Sequence, residues 1–294
     1  MFTAVPPLQP LALGWLSAAC VQVAVLRLDL IDPLISGNKW YKLSEHLHHM
    51  EALGASGVMS LGGAHSNHLH ALAAAGHRLG FETVGLLRGH PQVTPTVTDL
   101  QAFGMALHWL GYGGYRQRHD PGFWAPWQAR YPHLLAVPEG GGAEAGARGC
   151  QVLLDLVRGQ LPALGWDGFD GWWLAVGTGT TLAGLVLAGG APVYGAMAVP
   201  EGHGVAENIS ALVGKAGDYE LVDASRGGFA RVDDELLEFM LAAEAESGVP
   251  LEPLYTGKAL LTLRHNLHRF APGTRLVFVH TGGLQGRRAM PGCR

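Results

Sequence analysis

Five short stretches of this chain carry side chains that could do chemistry. The first is Ser36-Gly-Asn-Lys-Trp-Tyr-Lys-Leu43, where Lys39 follows a Gly-Asn pair and precedes two aromatics and an apolar helix. A lysine becomes a Schiff-base nucleophile when its amine is desolvated or its pKa is depressed. Apolar, aromatic flanks are compatible with that. On spacing alone, an ordinary surface lysine at a helix start is the commoner explanation, and Lys42 on the next turn reads as the solvent-facing one. Lysine is scarce here, with Lys39, Lys42, Lys215 and Lys258 the only four.

The second stretch, Gly171-Trp-Trp-Leu-Ala-Val-Gly-Thr-Gly-Thr-Thr-Leu-Ala-Gly184, runs from a strand through Gly177, Thr178, Gly179, Thr180 and Thr181 into an apolar helix. Such a turn aims backbone N–H groups and threonine hydroxyls at one point beside a helix N-terminus, where an anion is stabilised. It is not a Walker A loop, because no lysine follows the glycines. A dinucleotide fingerprint would put its third glycine on Leu182, although Glu201 stands where a ribose-binding acid is expected. A glycine turn with no ligand is the plainer alternative.

In the third, Leu61-Gly-Gly-Ala-His-Ser-Asn-His-Leu-His70, Ser66 and Asn67 fall at a helix start, where exposed N–H donors could hold a carboxylate. Simple capping by Ser66 explains the same pattern, and the absence of a G-x-S-x-G elbow disfavours a serine hydrolase. The last two, Leu251-Glu-Pro-Leu-Tyr-Thr-Gly-Lys258 and Val277-Phe-Val-His-Thr-Gly-Gly283, place Tyr255, Thr256 and Thr281 at a helix start and a strand end. Each alone is weak. The histidines His46, His48, His49, His65, His68 and His70 cluster in sequence, but without HExxH or a carboxylate at ligand spacing they read as exposed helix side chains, not a metal site.

These pieces need elements to position them. Strands are expected near Val21–Leu28, Val58–Leu61, Thr83–Leu87, Ala106–Leu110, Trp172–Val176, Val193–Val199 and Leu276–His280. Helices are expected near Lys42–Leu53, Ser66–Leu79, Ala143–Arg158, Thr181–Ala188, Asp233–Ser247 and Gly257–Arg269. The alternation predicts parallel βαβ units: an α/β fold of two lobes. Residues 1–41 with 139–294 would make the large lobe and 42–138 the small one, with the ligand at the strands' carboxyl ends. Gly111–Pro126 reads as a surface loop or lid, and Pro138–Gly142 as a crossing between lobes.

Composition narrows the classes. Only 15% of the 294 residues are charged and 43 are glycine, against averages of about 25% and about 7%. With 48% apolar residues and a net charge of -4, the chain is neither disordered nor a basic nucleic-acid binder. Gly171–Pro200 lacks any charge, but its glycines and prolines read as strand, loop, helix and strand rather than a membrane span. Leu11–Cys20 is apolar, yet no Lys or Arg precedes Arg27, so export is not expected. Cys20, Cys150 and Cys293 lie far apart, and free thiols suit a reducing cytoplasm.

Taken in order, GNKWYKL, GGAHSNH, AVGTGTTLAG, LEPLYTGKA and FVHTGG resemble the family of D-cysteine desulfhydrase and 1-aminocyclopropane-1-carboxylate (ACC) deaminase. These are pyridoxal 5′-phosphate (PLP) enzymes of the tryptophan-synthase-β-like fold. The resemblance spans roughly Ser36 to Gly286. It implies that Lys39 is the Schiff-base lysine, Gly177 to Thr181 the phosphate cup, and Asn67 the partner of the ring hydroxyl. It further implies that Ser66 meets the substrate carboxylate or assists proton transfer, that Tyr255 lies on the ring face, and that Thr256 and Thr281 flank the pyridine nitrogen. PLP would serve as electron sink while the protein orients it. A small amino-acid substrate and a homodimer, with no nucleic-acid or membrane partner, are the implied associations.

Two positions depart from the ACC deaminase pattern. Thr256 stands where those enzymes carry Glu, and Phe229 in Ser225-Arg-Gly-Gly-Phe-Ala230 stands where a second tyrosine is often found. Both favour D-cysteine-type β-elimination to pyruvate and ammonia. ACC deamination, a nucleotide-binding oxidoreductase and a PLP-binding protein without turnover remain the alternatives. Borohydride reduction and peptide mapping of the PLP-loaded protein are expected to place a pyridoxyl label on Lys39. A label on Lys42, Lys215 or Lys258 would contradict the assignment.

Overall fold

A computed structural model describes residues 4–35 and 37–289; Ser36 and Cys293 fall outside the described residues. The strands are β1 (Leu8–Pro10), β2 (Gln22–Arg27), β3 (Gly57–Gly62), β4 (Glu82–Leu87), β5 (Ala106–Trp109), β6 (Leu134–Ala136), β7 (Gly171–Val176), β8 (Val193–Met197), β9 (Tyr219–Asp223) and β10 (Arg275–His280). The helices are α1 (Gly14–Ala18), α2 (Asn38–Ala52), α3 (Asn67–Leu79), α4 (Pro95–Ala102), α5 (Gly111–Arg116), α6 (Ala125–Arg130), α7 (Ala143–Arg158), α8 (Thr180–Ala188), α9 (Val205–Val213), α10 (Asp234–Ser247) and α11 (Thr256–Asn266).

Two sheets form, in strand orders β1-β2-β10-β7-β8-β9 and β5-β4-β3-β6. Among the strand pairs of the described residues, β1–β2 is antiparallel and the rest are parallel. Parallel sheets require cover on both faces, and β7 shows how the sequence supplies it. All six of its residues are buried, with Trp172 entering the core beneath α7 and α8 and Trp173 the opposite core beneath α10 and α11. Trp173 Nε1 donates to the Ala259 carbonyl at 2.8 Å, which seats the indole without an orphaned donor. The uncharged run Gly171–Pro200 is therefore interior α/β structure. Among the described residues no helix is long and apolar enough to cross a membrane.

Helix α2 joins the sheets. Its Tyr41 packs into the core of the six-stranded sheet, while Leu43, Leu47 and Met50 enter that of the four-stranded sheet. The expected lobe boundary at residues 41/42 falls inside this helix. The helix begins four residues earlier than the apolar pattern suggested, because Gly37, at φ +76°, turns the chain against the end of β10.

Gly111–Pro126 is not an open loop. It contains α5 and the start of α6, and the buried Tyr115 donates to Glu139 Oε1 at 2.6 Å. The sequence reading also missed β1, β6, β9, α1, α4 and α9.

A Cβ at position 37 would lie 2.1 Å from the Thr281 carbonyl oxygen. Gly37→Ala is therefore expected to lower stability by about 1–3 kcal/mol. Urea titration measures this directly, and an unchanged midpoint would show that the approach of α2 to β10 is not tight.

Candidate active site

Three strand ends and two helix starts converge. From β7 the chain enters Gly177–Thr181, with Gly179 at φ +84° preceding α8; no side chain caps that helix. From β10 it enters Thr281–Gly283, and from β3 the turn to Asn67, with Ser66 as the N-cap accepting from Leu69 N at 3.2 Å. The starts of α2 and α11 supply Lys39 and the Tyr255-Thr256 pair.

Hydrogen bonds tie these pieces together. Asn38 Nδ2 donates to Thr181 Oγ1 at 2.8 Å, and Asn38 N donates to the Thr281 carbonyl at 3.2 Å. The start of α2 is thus fixed to both the threonine turn and the end of β10. Lys39 Nζ donates to Asn38 Oδ1 at 2.9 Å. Gln285 Nε2 donates to Asn67 Oδ1 at 3.0 Å, and the space a Cβ on Gly283 would need lies 2.7 Å from Asn67 Nδ2. On Gly177, a Cβ would stand 3.1 Å from the Tyr255 ring. Glycine at 177 lets the phenol lie over the turn.

The clearest addition to the sequence reading is Lys42. Far from facing solvent, it is 3% exposed and reaches Thr178 Oγ1 at 3.4 Å. Among the described residues no acid forms an ion pair with it. Burial pulls its pKa down to about 8. Lys39 is pulled further, to about 7, by burial first and by the Lys42 cation second. A buried cation without a counter-ion, beside a helix N-terminus whose amides no side chain caps, is a site for an anion. The spacing Lys39–Lys42 is one helical turn, so both amines lie on one face of α2.

At the other side, Glu252 is buried and its carboxylate accepts from the N–H groups of Leu254 (2.9 Å), Tyr255 (2.8 Å) and Thr256 (2.6 Å). Burial raises its pKa while these donors pull it down. Glu252 thereby fixes the entry to α11. The Thr256 hydroxyl is fully buried and accepts from Glu252 N at 2.9 Å. Tyr255 is held well above the usual phenol range, by burial first and then by the Glu252 and Glu139 carboxylates, so it stays protonated.

The histidines are less exposed than expected. His48, His49 and His65 face solvent, but His46, His68 and His70 are buried and bonded to the Gly142 carbonyl, Ser60 Oγ and Asp99 respectively. Among the described residues no group of three or more His, Cys, Asp or Glu side chains is placed to hold a metal ion. Glu201 lies exposed in the turn after β8. Of the cysteines, Cys20 is exposed and Cys150 buried.

These residues fit PLP. The uncapped turn and Lys42, with which no acid among the described residues forms an ion pair, can take its phosphate, and the partly neutral Lys39 amine can meet its aldehyde. No protein-family profile matches the chain. A relative from Thermotoga maritima, provisionally named a 1-aminocyclopropane-1-carboxylate deaminase, is 30% identical over 291 residues, covering 90% of this chain and 89% of its own. The mitochondrial bifunctional D-cysteine desulfhydrase/1-aminocyclopropane-1-carboxylate deaminase of Arabidopsis thaliana is 25% identical over 291 residues, covering 89% and 72%. A solved structure described as an ACC deaminase homologue superimposes with a TM-score of 0.82 at 24% identity, covering 98% of this chain and 92% of that one. The fold is that of the type II PLP-dependent enzymes. The chain belongs to the ACC deaminase/D-cysteine desulfhydrase family, and PLP is its cofactor.

Two outcomes follow for cofactor binding. Lys42→Met is expected to weaken PLP binding about 10- to 100-fold, the worth of one charge-assisted hydrogen bond. Gly179→Val, whose Cβ would meet Ile209 Cγ1 at 2.4 Å at a left-handed φ, should weaken it at least as much. Titration of apoprotein fluorescence measures both, and wild-type affinity in either variant removes that residue from the phosphate site. In addition, covalent capture of PLP by the apoprotein needs neutral Lys39. Its rate should rise with pH through a midpoint near 7 and level off by about one unit above. A midpoint near 10 would show that Lys39 is not desolvated.

Proposed function

We propose that this PLP-dependent lyase eliminates hydrogen sulfide from D-cysteine, or the corresponding leaving group from a close analogue, with one water then taken up to give pyruvate and ammonia. Part of the same proposal is the two-lobed division, residues 1–41 with 139–294 against 42–138, with the site between. Lys39 would be the covalent lysine; Gly177, Thr178, Gly179, Thr180 and Thr181, joined by Lys42, would hold the phosphate. Asn67 would hydrogen-bond the ring hydroxyl, and Thr256 and Thr281 would flank the ring nitrogen. Bound PLP draws electron density from the substrate α-carbon.

The protein's own groups do the rest. With a pKa near 7, the Lys39 amine is partly neutral at physiological pH and would serve as the base for the substrate α-proton. Ser66, at the N-terminus of α3, would receive the substrate carboxylate together with the first free amides of that helix. The Tyr255 phenol, kept protonated by burial, can hold its proton toward the departing sulfur. A thiolate is a stable anion and asks little of that proton.

The observation that carries the choice of substrate is Thr256. Its buried hydroxyl is neutral, and the nearby Glu252 carboxylate is committed to three backbone N–H groups. Position 256, where ACC deaminases carry Glu, offers a hydroxyl in place of a carboxylate, and that hydroxyl itself lies 3.3 Å from Glu252 Oε1. Phe229, whose ring centroid is 5.8 Å from that of Tyr255, brings no second phenol. Ring opening of ACC lacks a good leaving group, and losing one acid–base group typically costs about 10²–10⁴-fold in rate.

Side-by-side assays on one PLP-loaded preparation should give pyruvate from D-cysteine or β-chloro-D-alanine, with 2-oxobutanoate from ACC near background. A higher kcat/KM for ACC would overturn this reading of Thr256 and Phe229. A yellow protein that turns over no small amino acid would instead make it a PLP-binding module.

A further inference from the structure

Lys258 is a buried lysine that the proposed chemistry leaves unused. It lies two residues beyond Thr256 on α11 and is 1% exposed. Its ammonium donates to three main-chain carbonyls, those of Ser225 at 3.0 Å, Gly228 at 3.1 Å and Phe229 at 3.0 Å. An ammonium has three N–H groups, so all of them are spent on one turn. Among the described residues no acid forms an ion pair with it, which leaves the carbonyl dipoles to offset the cost of burying the charge.

The turn has few other anchors of that kind. Arg226 sits at φ +56° with its guanidinium on Asp233 and Glu235, partly exposed ion pairs of the sort that contribute little. Ser225 N donates to Asp223 Oδ1 at 2.9 Å, and Gly228 N donates to the Ser225 carbonyl at 3.1 Å. Phe229 ends the clamped segment. It is 40% exposed, and its ring meets Tyr255 edge-on at an interplanar angle of 63°. One turn of α11 therefore carries the phenol of the site and the cation that fixes the ring standing against it.

We propose that Lys258 is a positioning residue: its ammonium clamps the Ser225–Phe229 turn so that Phe229 forms a fixed apolar wall beside Tyr255, and that wall selects small, uncharged substrate side chains. The selection rests on Tyr255 being a site residue; the clamp does not.

Hydrogen exchange of residues 225–230, trypsin cleavage after Arg226 and steady-state kinetics on the holoenzyme test the two parts separately. In Lys258→Met, exchange of this turn and cleavage after Arg226 should accelerate by about tenfold or more, as expected when a local clamp is lost. The same variant should raise KM for D-cysteine by a larger factor than it lowers kcat. Phe229→Ala should leave the turn as protected as in the wild type while raising KM in the same way. Wild-type exchange and cleavage in Lys258→Met would overturn the clamp, and a loosened turn with unchanged KM would overturn the selection. If Tyr255→Phe keeps wild-type kcat/KM, the reading of Tyr255 fails while the exchange result still stands. Should Lys258→Met not fold, the wild type decides: relative to unstructured rates, the clamped turn must exchange at least about tenfold more slowly than the exposed Glu201–Gly204 turn, and equal rates would overturn the clamp.

Discussion

Two lysine amines near the start of one helix, Lys42 buried and Lys39 half-buried, with no acid among the described residues in an ion pair with Lys42, are the constraint around which the candidate site is built. Like charges three residues apart repel, and burial adds a desolvation cost to each. Oxygens of Asn38 and Thr178 accept from the two amines, while the uncapped N-terminus of α8 adds further positive potential, so the whole arrangement favours a negative charge. Lys39 gains from the arrangement a partly neutral amine near pH 7. An anion beside Lys42 would supply the counter-charge that this buried cation lacks.

The remaining structure holds this pair in place. Gly37 lets α2 approach β10 so closely that only a hydrogen fits, and Asn38 bonds outward to Thr181 and Thr281. Behind the turn, the two tryptophans of β7 fill the cores on opposite faces of the six-stranded sheet. Glu252 organises the start of α11 by accepting three consecutive backbone N–H groups. That fixes Tyr255 and Thr256 on a rigid element, as a site requiring close geometry demands.

Much of this was legible in the residues. The long apolar strands β2, β3, β4, β7 and β10 fall within a residue or two of their expected bounds, because burial on both faces leaves continuous apolar runs. Ser66 and Asp233 cap α3 and α10 as their types suggest. The three-residue strands β1 and β6 left no periodic trace, and they form because neighbouring strands offer open edges. Glycine-rich Gly111–Pro126 carries little helix propensity; the anchor that orders it is Tyr115 on Glu139, a contact 24 residues distant in sequence. Lys42 was readable in principle, since i and i+3 share a helix face. Lysines are so seldom buried that this spacing by itself does not mark Lys42 as an interior residue. Lys258 left no such signal, because backbone carbonyls are its partners and any sequence supplies those.

The proposed phosphate site makes a demand that can be measured without catalysis. Apoprotein titrated with PLP and with pyridoxal, which has the aldehyde and ring but no phosphate, separates the anion's contribution from that of Lys39. If the Gly177–Thr181 turn and Lys42 form the anion site, PLP should bind at least about 100-fold more tightly than pyridoxal, the worth of two or more charge-assisted hydrogen bonds. Equal affinities would mean that the buried Lys42 and the uncapped end of α8 do not receive a phosphate.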